Sequence, residues 1–92
     1  MKYTQATLTK LEKILEESSY VVRYERGTFQ SGSCLLEERK VVVLNRFLQI
    51  EGRINTLIDL IPQLVIIPGQ LSPDSLKAYE DVIRQYQSAG DD

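Results

Sequence analysis

Apolar positions change their spacing along this chain, and each change marks an element. Over Thr4–Ser18 they fall at Leu8, Leu11, Ile14 and Leu15, one stripe of a helix, with Lys10, Glu12, Lys13, Glu16 and Glu17 on the opposite face. From Tyr20 to Arg26 the period drops to two. Tyr20, Val22 and Tyr24 alternate with Arg23 and Glu25, the pattern of a half-buried antiparallel strand. Gly27–Gly32 supplies a turn, Ser33–Glu37 reads as a second strand around Cys34, Leu35 and Leu36, and Glu37–Lys40 is a polar turn without glycine. Lys40–Asn45 is the third strand. Val41–Leu44 is apolar on both faces, which predicts a central position covered on two sides.

Helical spacing returns over Arg46–Ile61. Ile50, Ile54, Leu57, Ile58 and Ile61 form its stripe, and Pro62 ends or kinks it. The apolar run 64–67 fits either a short fourth edge strand or the buried tail of that helix. Ser72-Pro73-Asp74 joins an N-cap serine, a proline at the first helical position and an acid in the first turn. Leu76, Tyr79, Val82 or Ile83, and Tyr86 give the stripe of the helix that follows, and 88–92 reads as a frayed tail. The expected fold is one α+β domain over residues 1–92 in the order α-β-β-β-α-α, a three-stranded antiparallel meander packed on one face by three helices.

Length and charge narrow the function more than they define it. At 92 residues the chain is near the lower end of what folds alone, so a partner that adds buried surface is a reasonable expectation. The net charge of −2 argues against nucleic acid and anionic membrane as general partners. That charge is uneven. Residues 23–53 hold six basic residues against four acids, while the flanks hold five against nine. The basic stretch makes Arg23, Arg26, Arg39, Lys40 and Arg46 candidate anion contacts, and Phe29 at a loop tip a candidate partner contact. A single cysteine excludes an intramolecular disulfide. No run reads as a signal peptide or a membrane span, so the expected location is the cytoplasm.

Histidine is absent from the chain, which removes Ser/His and Cys/His nucleophilic catalysis, the usual zinc sites and imidazole acid–base chemistry. Cys34 has no base suggested beside it and reads as a small buried hydrophobe. Gly27–Gly32 resembles a phosphate loop in composition, but it joins strands and feeds no helix, so a plain hairpin loop is the better reading. Glu37 and Glu38 are adjacent on an extended segment and point apart, against a catalytic pair. Tyr20, Arg23 and Tyr24 are of the kind that stack bases on a sheet, yet the tyrosines lie on the core side.

Val22–Gly27, Ser31–Cys34, Val41–Asn45 and Arg53–Leu57 together resemble the opening half of the ImmA/IrrE-type zinc metallopeptidases. In that family a small meander ends in an Ile-Asn pair, and a helix carrying His-Glu-x-x-His follows. Small bacterial proteins share the same meander-and-helix outline. The resemblance implies a zincin-like scaffold without its chemistry, because Asp59–Gln63 occupies the place of the zinc motif and supplies neither histidine nor the general-base glutamate. No cofactor or metal is expected. The expected function is a non-enzymatic interaction or regulatory module, with self-association or docking to another protein through the open edges of the sheet and the apolar surplus of 54–67. Two alternatives remain: binding of a phosphate-bearing ligand or nucleic acid through the basic sheet region, and an enzyme using carboxylates or Cys34.

Overall fold

A computed structural model describes residues 2–26, 33–36 and 40–90. The elements are α1 (Gln5–Glu17), β1 (Val21–Glu25), β2 (Ser33–Leu36), β3 (Val41–Asn45), α2 (Ile50–Leu60) and α3 (Pro73–Gly90), with 3-10 turns at Ile61–Gln63 and Pro68–Gln70. Helix α1 starts where Thr4 Oγ1 accepts the Thr7 amide, 3.2 Å away. Its end is a left-handed turn: Ser19 has φ 68°, the Ser19 amide donates to Glu16 O, and the Tyr20 amide to Leu15 O. That turn drives Tyr20 into the core, where it is 8% exposed.

The sheet corrects the expected meander. Its order is β1-β3-β2, with β1 parallel to β3 and β2 antiparallel to it. Val21 pairs with Val41 and Glu25 with Asn45, so β1 and β3 run in step over their whole length. An up-and-down meander would put the second strand in the middle. Here the strand that is apolar on both faces takes the middle instead, because it alone has side chains suited to cover on two sides. Val42 and Leu44 face the helices with no exposure, and Val43 is buried on the opposite face. Lys40, at φ 50°, makes the sharp entry into β3.

The stripe expected of α1 is the buried set of that helix: Leu8, Leu11, Ile14 and Leu15. In α2, Ile54, Leu57 and Ile58 are buried, and Ile61 follows in the 3-10 turn that holds Pro62. Ile50 departs from its expected place and is partly exposed. The run 64–67 becomes neither a strand nor a helix. It is an extended strap in which Leu64 and Ile66 face the core while Val65 and Ile67 face outward.

Helix α3 packs on α1 and α2 more than on the sheet, so the three helices do not form one layer over the strands. Its innermost residues are Ser75, Ala78 and Val82. Leu76, Tyr79 and Ile83 are half-buried, and Tyr86 is exposed, so the stripe lies beside the expected one. Small residues at the centre let the helix backbones approach, and the larger ones flank the contact. The helix continues to Gly90, into the stretch read as tail.

Candidate functional site: the free edge and carboxyl ends of the parallel strands

Among the described residues strand β1 has a neighbour, β3, on one side only. The Val21 amide donates to Lys40 O (2.8 Å) and the Arg46 amide to Glu25 O (3.0 Å), which frames the ladder at both ends. In a parallel pair alternate residues address the neighbouring strand, so Val21, Arg23 and Glu25 serve β3. Val22 and Tyr24 therefore turn their amides and carbonyls to the free side. Among the described residues no hydrogen bond reaches those backbone groups. The side chains alternate across the sheet: Val22 and Tyr24 pack on the core, while Val21 is 53% exposed on the other face. Arg23 and Glu25 lie beside it and form an ion pair at 2.6 Å.

The basic residues singled out from the sequence do not form one patch. Arg23 is engaged by Glu25. Lys40 precedes β3, and its Nζ stands 5.6 Å from the Tyr20 ring centroid. Arg26 and Arg46 follow the last residues of β1 and β3, so a strand length of roughly 16 Å separates them from Lys40. Phe29 and Arg39 lie outside the described residues, as do the Gly27–Gly32 loop and Glu37-Glu38.

At the carboxyl ends of β1 and β3 the structure adds residues that the sequence pattern did not single out as contacts. Phe47 is 68% exposed, with the Arg26 guanidinium 5.9 Å from its ring centroid. Asn45 Oδ1 accepts the Phe47 amide and fixes the turn. Arg53, one turn into α2, donates from Nε to Leu48 O (2.8 Å) and from Nη2 to Arg46 O (2.9 Å). It lies 4.5 Å over the Tyr24 ring, and the Tyr24 hydroxyl donates to Glu12 Oε2. Half-burial, then the Glu12 carboxylate, push the Tyr24 phenol well above its ordinary range, so it stays protonated. This cluster ties α1, β1 and α2 together. Only Tyr24 carried a signal of it, as an aromatic on the core face with a polar tip that needs a partner.

A second polar cluster fixes α3. Glu17, at the end of α1, accepts the Ser72 amide at 2.7 Å and the hydroxyls of Ser72 and Ser75, each at 3.0 Å. The Ser72 amide bond, then the two hydroxyls and Lys13, hold its carboxyl below the usual range against a partial opposing effect of desolvation. Ser72 Oγ in turn accepts the Ser75 amide, the N-cap read from Ser72-Pro73-Asp74.

Histidine is absent from the sequence, so the His-Glu-x-x-His ligands of the resembled peptidases do not occur in it. Asp59 is exposed, and among the described residues no three histidine, cysteine or acidic side chains converge. Cys34 pairs through its backbone with Val43, and its side chain lies outside what is described. Among the described residues no helix is long and apolar enough to cross a membrane. Compared with protein-family models, curated proteins and solved structures, the chain matches none. The likeness to ImmA/IrrE-type peptidases therefore rests on the quoted residues alone.

Proposed function

We propose that this chain is a non-enzymatic protein-interaction module that takes up an extended strand of a polypeptide along the free edge of β1. One observation carries the reading: among the described residues β1 is bonded on one side only, and the outward amides and carbonyls of Val22 and Tyr24 form a ready template for strand addition. The absence of histidine from the sequence agrees with a role outside catalysis. The reading sets the protein in the cytoplasm, in keeping with its single cysteine. Val22→Pro removes an outward amide and leaves the β1–β3 ladder bonded, since that amide does not face β3. Any association of the full chain, measured by light scattering or by capture on an immobilised sample, is expected to be lost in Val22→Pro with the fold retained by circular dichroism. Association that survives the substitution in a folded variant rules out this edge.

A second reading has its own support. Arg26 and Arg46 stand together at the carboxyl ends of a parallel pair, Phe47 offers an exposed ring and Arg53 is held in place beside them, a set suited to a phosphate-bearing ligand. Titration with a nucleotide or a short single strand should then weaken steeply as salt rises. Affinity that is flat with salt, or unchanged in Arg26→Ala with Arg46→Ala, dismisses it.

A further inference from the structure

Resting on the interaction reading above, we infer that the strand received at the β1 edge is β1 of a second copy, paired antiparallel about a two-fold axis at Tyr24. Three registers compete for such self-pairing within Val21–Glu25, and the charges separate them. An axis at Arg23 sets Arg23 against itself, with like charges directly opposed. An axis at Val22 sets Arg23 against Val21 of the second copy. An axis at Tyr24 sets Arg23 against Glu25 of the second copy, and Glu25 against its Arg23, so the same contact occurs twice.

The backbone agrees with the third register. Val22 and Tyr24 are the residues whose amides and carbonyls face the free edge, and the alternation continues to Arg26. With the axis at Tyr24, Tyr24 exchanges bonds with its own copy and Val22 exchanges bonds with Arg26 of the second copy. Arg23 and Glu25 then fall in the non-bonded positions, where Cα atoms approach to about 4.5 Å and side chains meet most closely. Both side chains already lie on one face within 2.6 Å of each other, that of Arg23 largely exposed and that of Glu25 half-buried. Pairing joins the two ion pairs into one four-residue network on that face. The result is a six-stranded sheet in the order β2-β3-β1-β1-β3-β2. Main-chain bonds hold the copies together, and the charges fix the register.

The full chain is measured by sedimentation from micromolar to millimolar concentration, together with three charge variants. The wild type is expected at twice the mass of one chain. Arg23→Glu and Glu25→Arg should each weaken the dimer by about tenfold or more, because each places like charges in both copies of the contact. The combined variant R23E/E25R restores opposite charges and should recover the wild-type mass. Register is read separately by oxidative cross-linking. A mixture of Arg23→Cys and Glu25→Cys chains is expected to link across the axis, at a Cα separation within disulfide reach, and neither variant alone should link at that rate. A dimer indifferent to the reversals, a combined variant that does not recover, or cross-linking as fast in the single samples overturns the inference. So does a wild type that stays monomeric at millimolar concentration. If that monomer binds another protein, and Val22→Pro abolishes the binding, the edge keeps its role and only the second copy is excluded as its occupant.

Discussion

Ser19 holds a left-handed φ of 68° that glycine adopts freely and serine does not. The conformation costs about 1 kcal/mol. It persists because it aims Tyr20 into the core, and burying such a side chain is worth about 2 kcal/mol. Ser19→Gly keeps the turn without the strain. It is expected to stabilise the protein by about 0.5–1 kcal/mol and to raise Tm by about 3–6 °C in a thermal melt. Glu17 has the opposite sensitivity, to pH. Its carboxyl lies below its unfolded value of 4.5, so its contribution is complete above that pH and is lost as pH falls through the lower folded value. As pH falls from neutral through that lower value the wild type should lose stability that Glu17→Gln lacks throughout, so the two Tm curves converge on the acid side. The Ser72 cap was legible because its signals are adjacent in the chain. The Glu17 contact was not, because it joins residues 55 positions apart.

Helices show where a pattern of large apolar residues suffices. In α1 every buried contact is leucine or isoleucine, and the stripe was evident. In α3 the centre of the contact is Ser75, Ala78 and Val82; Val82 belongs to the expected stripe, whereas Ser75 and Ala78 weigh little in an apolar count, and the larger Leu76 and Tyr79 lie at the flanks with Tyr86 exposed. Ala78→Leu inserts volume where the α1 and α3 backbones are close and should cost about 1–3 kcal/mol by urea denaturation. Tyr86→Leu, on the exposed side, should change little. For β3 the signal was present in Val41–Leu44, whose two apolar faces mark an interior strand. The order β1-β3-β2 was already implied by that feature, and the habit of pairing successive strands obscured it.

For the molecule as a whole, the α+β class was legible and the parallel direction of β1 against β3 was not. Nothing in Tyr20–Arg26 distinguishes an antiparallel from a parallel neighbour, because its alternation answers only to which face is buried. The candidate contacts divided for the same reason. Once β1 and β3 run in step, Arg26 and Arg46 come together and Lys40 is carried to the far end. The proposed pairing along β1 carries a consequence for stability, which it would make dependent on concentration. Wild-type Tm should rise with each tenfold increase in protein, and Val22→Pro should melt at one temperature throughout, as followed by calorimetry.

The interleaved strand order constrains how the protein can be made. Strands β2 and β3 close over the short interval 37–40, whereas β1 reaches β3 only across residues 26–40. The shorter closure costs less chain entropy, which favours the β2–β3 hairpin as the first piece of sheet. During synthesis α1 and β1 emerge earliest, yet β1 has no neighbour until the chain has passed Asn45. For that interval its outward and inward amides are both open. On that order the first strand made is the last to be seated, and any delay in docking it on β3 lengthens the time its backbone groups stay open to another chain.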